Sequence, residues 1–189
     1  MELTADSKAV LSPGRKLSQK ELEECEESQV QASPAEVTRY RQLAARANFL
    51  SADRPDISFA VKELCRSMSD PSPQDWRALK HLARYLVGKP RLIWYFGWQP
   101  RSRTIIALTD SDWAGCVKTR KSTSGGLMYR GNHVVKHWST TQSTIALSSA
   151  EAELIALVKG GSEALGLKSL LADLGTQCQI DVGIDVVAS

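Results

Sequence analysis

The apolar residues of this 189-residue chain change their spacing once, close to Pro100, and that change limits the folds open to it. Before Pro100, large apolar side chains recur every three or four residues, which is the spacing of one face of an α-helix. After Pro100, as in residues 104–109, β-branched and apolar residues follow the two-residue period of a strand. The sequence therefore predicts a helical part followed by a part that contains a β-sheet.

Three helices are predicted between residues 36 and 88. The first begins after a capping box in which Ser33 caps the helix and Glu36 returns the hydrogen bond. The second begins near Asp56, which stands where an N-cap residue belongs, and the third covers residues 74–87. Residues 1–35 are rich in Ser, Pro, Gln and Glu and hold few large apolar side chains, which predicts a flexible acidic arm.

The part after Pro100 is predicted to be a sheet with one long helix. Its helix opens with Ser148 as N-cap and Glu151 completing a second capping box, and it ends at Gly175. Four strands are predicted, at residues 104–109, 125–130, 133–138 and 180–185. The order of elements is then three helices followed by βββαβ, which is an α/β architecture.

Composition excludes several classes of protein. With 42% hydrophobic and 24% charged residues, the chain matches a globular protein and neither a fibrous nor a wholly disordered one. Its apolar runs are far shorter than the roughly 20 residues that cross a bilayer, and its N-terminus lacks a secretory signal. The four cysteines form no C-x-x-C pair, so neither a zinc site nor a disulfide framework is predicted. We therefore expect an intracellular protein with no membrane partner.

The net charge of +3 is unevenly distributed. Residues 1–36 carry eight acids and four bases, a local charge of −4, so the remaining residues carry +7. A basic surface is what a polyanion such as nucleic acid binds, because Lys and Arg displace counterions from phosphates. Taken alone, the charge favours an ordinary solvated surface.

Three carboxylates fall where α/β proteins usually build their sites. Asp110 ends the first strand, Glu153 lies in the first turns of the long helix, and Asp185 ends the last strand. If they converge, their mutual repulsion requires a cation, and hard oxygen ligands suit Mg²⁺ or Mn²⁺. Two such ions can activate water for phosphodiester hydrolysis. A plainer interpretation remains, with two turn acids and one favourable charge near a helix N-terminus.

Other polar residues near these carboxylates allow two interpretations each. Asp112 is an alternate ligand or, more simply, a turn former, and Glu151 is better explained as a cap. The loop after the first strand offers cations and hydroxyls suited to phosphate oxygens, although it is equally a plain loop; its residues are Arg120, Lys121, Ser122, Thr123 and Ser124. The tryptophans can stack on bases, but core packing is expected for most of them, namely Trp94, Trp98, Trp113 and Trp138.

Six motifs follow one another in a fixed order within residues 36–185. They occupy residues 39–43, 54–60, 76–86, 110–115, 120–125 and 146–153. Together they resemble the C-terminal part of copia-type LTR retrotransposon Pol polyproteins. Several motifs in the right order are far more specific than any one alone.

The resemblance implies a ribonuclease H-like mixed sheet at residues 101–189, preceded at 36–100 by the helical segment that connects it to the reverse transcriptase. It also implies that Asp110, Glu153 and Asp185 are the first three members of an Asp-Glu-Asp-Asp set that holds two Mg²⁺ or Mn²⁺ ions. The implied substrate is the RNA strand of an RNA–DNA hybrid. The implied partners are the reverse transcriptase and integrase parts of the polyprotein, in a cytoplasmic virus-like particle or the nucleus.

The chain departs from the family pattern in two ways. It ends at Ser189, where the family continues with a helix, a fifth strand and the fourth carboxylate, and Val186 and Val187 replace small polar residues after Asp185. The paired-aspartate motif of the polymerase is absent, so no DNA synthesis is expected. We therefore expect a hybrid-cleaving endonuclease that truncation can leave inactive. The alternative is a non-catalytic remnant that binds nucleic acid or packs against a polymerase domain.

Overall fold

The structure, a computed structural model, describes residues 8–14, 32–116 and 119–184. It divides the chain into two compact units, Met1–Trp94 and Tyr95–Ser189, which we call the helical unit and the sheet unit. The assignments of 1–35 as an arm, 36–100 as a connection segment and 101–189 as a ribonuclease H-like domain stay predictions. In the described ranges, no helix is both long and apolar enough to cross a membrane.

The helical unit contains the three predicted helices. They are α1 (Pro34–Ser51), α2 (Pro55–Arg66) and α3 (Pro73–Gly88). The capping box of α1 is confirmed, since the Glu36 carboxylate accepts a hydrogen bond of 2.9 Å from the Ser33 backbone N–H. In α3 the side chains of Ser72 and Asp75 form the same reciprocal arrangement. Local capping therefore sets where two of the three helices begin.

The predicted N-cap of α2 is wrong. The helix begins at Pro55, and its N-cap residue Arg54 makes no side-chain capping bond. The Asp56 carboxylate instead accepts hydrogen bonds of 2.9 and 2.8 Å from the buried Arg54 guanidinium and one of 2.8 Å from the Tyr85 hydroxyl. The bidentate pair gives Asp56 two charge-assisted hydrogen bonds between opposite charges, whereas a cap would give it a bond to an uncharged backbone N–H, so Asp56 serves the pair.

The three helices bury their apolar faces against one another. The Tyr40 hydroxyl donates a 2.9 Å hydrogen bond to the Leu64 carbonyl, and the Tyr40 ring meets Trp76 edge-on at 5.4 Å. Part of the predicted arm, residues 8–14, lies along α3, where Arg84 Nε donates to the Lys8 carbonyl at 2.6 Å. The core residues are Tyr40, Ala44, Ala47, Ile57, Ala60, Val61, Leu64, Leu79, Leu82 and Tyr85.

The sheet unit is a mixed four-stranded sheet with one helix, so the predicted α/β class and element order are confirmed. Strands β1 and β2 pair antiparallel, as do β2 and β3, whereas β4 runs parallel to β1, giving the order β3-β2-β1-β4. The first three strands are longer than predicted because pairing continues through polar positions. The elements are β1 (Thr104–Asp112), β2 (Thr123–Arg130), β3 (His133–Thr141), α4 (Ser149–Asp173) and β4 (Gln179–Ile184).

Helix α4 packs closely on the sheet because a glycine faces β1. A Cβ atom at Gly160 would collide with the Thr109 methyl group, so only glycine permits this approach. Ser148 is confirmed as the N-cap, since its Oγ accepts from the Glu151 backbone N–H at 3.2 Å. The predicted capping box is not completed, because the Glu151 carboxylate accepts from the backbone N–H of Leu147 at 2.6 Å instead of from that of Ser148. The packing and the cap together fix the start of α4 over the sheet.

Candidate functional site

Asp110 lies near the carboxyl end of β1 and is exposed. Its neighbours on either side, Thr109 and Ser111, are more buried, as expected for a strand whose side chains alternate between two faces. Its partner in β2 is Gly125, which adds no side chain beside the carboxylate. The structure therefore leaves the first predicted carboxylate accessible at the end of its strand.

Glu153 reaches from α4 to the same end of β1. Its Oε1 accepts a hydrogen bond of 3.3 Å from the backbone N–H of Ser111, the residue after Asp110. Its Oε2 is buried and, among the described residues, has no hydrogen-bond partner. A buried carboxylate oxygen without a partner is costly, so this atom calls for a cation, a water molecule or a donor.

The third predicted carboxylate, Asp185, lies outside the described residues. The parallel register of β1 and β4 ends with Thr109 opposite Ile184, and these two residues immediately precede Asp110 and Asp185 in the chain. Within the ranges that the structure describes, no group of three or more His, Cys, Asp or Glu side chains is arranged to hold a metal ion. The described part thus brings Glu153 to the strand that carries Asp110.

A buried polar layer lies beneath the first turns of α4. Gln142 is buried, and its Nε2 donates to Ser124 Oγ at 3.0 Å and to the Ala152 carbonyl at 2.9 Å. Gln142 Oε1 and Ser111 Oγ are also buried without a hydrogen-bond partner in the described part of the chain. Sequence reasoning missed Gln142, because a polar residue after a strand carries no sign of burial.

Of the five residues predicted to contact phosphates, two have accessible side chains in the loop after β1. Arg120 is exposed and Lys121 half-buried, and the φ of 56° at Arg120 places it in the left-handed region. The other three, Ser122, Thr123 and Ser124, are buried. Their hydroxyls are therefore withdrawn from the surface, which argues against direct phosphate contacts.

Two further expectations have clear outcomes. Asp112 takes the turn role, because its Oδ1 accepts a hydrogen bond from the Thr123 backbone N–H. Core packing was expected for most tryptophans, and Trp138 packs against the sheet core, whereas Trp98 is almost fully exposed. Trp113 is about half exposed and donates its Nε1–H to the Ala146 carbonyl at 3.1 Å. Trp94 is also exposed, at 37%, so the expectation is wrong for three of the four tryptophans and confirmed for Trp138.

The chain is similar to parts of several transposon proteins. It is 36% identical over 140 residues to the retrovirus-related Pol polyprotein from transposon RE2 of Arabidopsis thaliana, a match covering 74% of this chain and 10% of that protein. It is also 36% identical over 122 residues to the corresponding polyprotein from transposon TNT 1-94 of Nicotiana tabacum, covering 65% of this chain and 9% of that protein. The chain therefore spans about a tenth of the length of these polyproteins.

Similarity also extends to a much shorter protein. The chain is 40% identical over 114 residues to the secreted RxLR effector protein 161 of Plasmopara viticola, covering 60% of this chain and 80% of that protein. No family model matches the chain. No solved structure matches it. Because identity to several Pol polyproteins extends over most of its length, the chain belongs to the family of retrovirus-related Pol polyproteins from transposons, of which it corresponds to a short segment.

Proposed function

We propose that the sheet unit is a ribonuclease H-like domain that hydrolyses the RNA strand of an RNA–DNA hybrid, with two Mg²⁺ or Mn²⁺ ions as cofactors. The observation that carries the proposal is the hydrogen bond from Ser111 N to Glu153 Oε1, which joins the first turns of α4 to the end of β1 beside Asp110. Membership of the Pol polyprotein family supports a nucleic-acid substrate. The copia-type resemblance favours this reaction over others of the polyprotein.

The residues present fit a hard divalent cation. Glu153 Oε2 is a buried oxygen that lacks a hydrogen-bond partner among the described residues, and Asp110 supplies a second carboxylate from β1. In the proposal Asp185 is the third ligand. Bound ions would act as Lewis acids and lower the pKa of a coordinated water. The Ser111 N–H holds one Glu153 oxygen in place, which leaves the other oxygen for the metal.

In the proposal, basic side chains of the sheet unit bind the hybrid through its phosphates. Arg120 and Lys121 follow the acidic strand end in the loop before β2, where their cations suit phosphate oxygens. Ribonuclease recognition of a hybrid depends on phosphates and 2′-hydroxyls rather than on base sequence, which agrees with the exposed Arg120 and the half-buried Lys121 as phosphate contacts. We keep these two residues as contacts and leave out the buried hydroxyls at 122–124.

The remainder of the proposal concerns the longer protein. Because the matched polyproteins are about ten times the length of the match, the reverse transcriptase and integrase parts of such a polyprotein are the proposed partners. The helical unit is then the segment that connects the sheet unit to the reverse transcriptase.

The test is cleavage of an RNA–DNA hybrid labelled on its RNA strand, with Mg²⁺ and with a chelator. We expect Mg²⁺-dependent cleavage that Asp110→Asn and Glu153→Gln each abolish while hybrid binding is retained. Asp181→Asn is the matched control, since Asp181 is an exposed acid of β4 that pairs opposite Ile106, away from the carboxyl end of β1. Hybrid binding without cleavage by the unmodified chain would contradict the nuclease and support the non-catalytic alternative.

A further inference from the structure

The sheet unit begins with aromatic side chains that lie on the surface. Tyr95 is 88% exposed and Trp98 is 92% exposed, and Phe96 is more than half exposed. Large aromatic side chains stabilise a fold when buried, so a cluster of exposed ones marks a surface that meets another molecule. The rings of Tyr95 and Trp98 are therefore accessible to another molecule.

The exposure is not the result of a loose segment. Gln99 Nε2 donates to the Arg130 carbonyl at 3.0 Å, and Gln99 Oε1 accepts from the Asn132 backbone N–H at 2.8 Å. His133 Nε2 lies 2.9 Å from the Gly97 carbonyl, and its ring meets Phe96 edge-on at 5.2 Å. Residues 96–99 are therefore fixed to the turn between β2 and β3, and that anchoring holds Trp98 outward. A preorganised aromatic surface loses little entropy on binding.

Cations accompany the aromatic residues, and carboxylates do not. Within the sheet unit, residues 95–109 contain two arginines, Arg101 and Arg103, and no Asp or Glu. Arg101 and Arg103 line a cavity of about 210 Å³ together with Gly175, Thr176 and Gln177, and this lining includes no carboxylate. Arg130 Nε donates to the Ser102 carbonyl at 3.2 Å, which brings a third guanidinium to the same segment. This donor-rich, partly enclosed space suits a phosphate group.

From these features we propose that Tyr95 and Trp98 form a base-stacking platform for single-stranded nucleic acid, with a phosphate held by Arg101 and Arg103. Exposed aromatic rings beside backbone-binding cations are the combination by which proteins bind single strands without reading sequence. The charge favours a polyanion over a protein partner or a second copy of the chain. Single-stranded DNA and RNA both offer bases and phosphates to this surface, and the choice of oligonucleotide in the test distinguishes them.

The platform is distinct from the carboxylate site. Six residue-to-residue steps along β1, from Thr104 to Asp110, separate the two, which is about 20 Å at ~3.3 Å per step. Binding at the platform needs no metal ion and no Asp185. The inference therefore does not depend on the proposed cleavage, and a chain that fails to cut a hybrid can still bind a single strand.

The test is binding of fluorescently labelled dT20, and of the matched oligouridine, measured by anisotropy in the presence of EDTA. We expect Trp98→Ala to weaken binding about tenfold, which is within the effect of losing one stacked base, and Tyr95→Ala to weaken it similarly. Arg101→Gln combined with Arg103→Gln should lower the slope of log K against log salt by about 1.4, the value for two phosphate contacts on a single strand. Because Trp98 is so exposed, its removal should leave the melting temperature unchanged.

Phe49→Ala is the matched control, since Phe49 is an aromatic residue of α1 that is 85% exposed and lies outside the platform. It should leave both affinities unchanged. Equal effects of Trp98→Ala and Phe49→Ala would overturn the platform. A second result would also overturn it: Trp98→Ala leaves the affinity for both oligonucleotides unchanged but removes self-association of the chain seen by sedimentation velocity. That result would make the aromatic surface an interface between two copies of the chain.

Discussion

The two units of the molecule treat their buried polar groups differently. In the helical unit Arg54, Asp56 and Tyr85 satisfy one another, and the guanidinium also donates to the Lys89 carbonyl at 3.1 Å. In the sheet unit four side chains keep a buried polar atom without a partner among the described residues, and these are Ser111, Trp138, Gln142 and Glu153. Satisfied networks stabilise a fold, whereas unsatisfied oxygens near an accessible carboxylate mark a place kept for another group. The helical unit thus contains a satisfied ionic network, and the sheet unit contains the carboxylate oxygen on which the proposed metal site depends.

Breaking the Arg54–Asp56 pair should have the largest effect on stability. Asp56→Ala leaves the buried guanidinium without its carboxylate, and we expect the helical unit to lose about 3 kcal/mol. Tyr85→Phe, which removes only one hydrogen bond to the same carboxylate, should cost about 1 kcal/mol. Urea unfolding, monitored by hydrogen exchange of the α2 and α3 amides, measures the loss of stability in each variant. An Asp56→Ala loss no larger than that of Tyr85→Phe would show that the pair is not a stabilising centre.

Two adjacent glycines of α4 sharpen the comparison within the sheet unit. Gly160→Ala places a methyl group against Thr109, so we expect a loss of about 1–3 kcal/mol as the helix moves from the sheet. At Gly161 the described residues leave the space for a Cβ open, so Gly161→Ala should stabilise the helix by up to about 1 kcal/mol. Thermal unfolding measures the stability of both variants. Equal changes in melting temperature for Gly160→Ala and Gly161→Ala would contradict the close approach of α4 to β1 at Gly160.

The difference between the units also explains what the sequence could predict. The capping box at Ser33 and Glu36 and the change of period after Pro100 depend on neighbouring residues, so they predicted the helices and the element order correctly. The role of Asp56 was missed although its partner Arg54 is two residues away, because the third member of the network, Tyr85, is 29 residues away. The contact of Glu153 with β1 followed from the α/β architecture, but the burial of Gln142 depends on three elements meeting and leaves no local pattern.

Gln142 and Gln99 form a matched pair in the sheet unit. Gln142→Met removes the donors to Ser124 Oγ and the Ala152 carbonyl, and Gln99→Met removes comparable bonds at the β2–β3 turn. We expect a loss of about 1–2 kcal/mol for Gln142→Met and less for the more accessible Gln99→Met. The Ser111 amide should exchange faster only in Gln142→Met, since that variant alone loosens the first turns of α4. Equal exchange rates of the Ser111 amide in both variants would show that Gln142 does not support the hydrogen bond between Ser111 N and Glu153.

The smallest expected effect is a dependence on pH confined to the helical unit. The hydrogen bonds from Arg54 hold the pKa of Asp56 below its usual value, although burial opposes the shift. A carboxyl whose pKa is depressed by folding contributes stability above its unfolded pKa, about 3.9, and that contribution is lost as pH falls through the folded pKa. Unfolding measured from pH 6 to pH 2 should show this loss, and Asp56→Asn should remove it. A slope that Asp56→Asn leaves intact would assign the acid sensitivity to another group.

The most direct test of the central claim is paramagnetic broadening of backbone amide resonances by Mn²⁺. If Glu153 Oε2 is kept for a divalent cation, Mn²⁺ at low concentration should broaden the amides of Asp110 and Ser111 first, Mg²⁺ should reverse the broadening, and Glu153→Gln should abolish it. The Ile180 amide, near the opposite end of the sheet, should stay sharp. Broadening that is absent, or that persists unchanged in Glu153→Gln, would contradict the assignment of this end of β1 as a metal site.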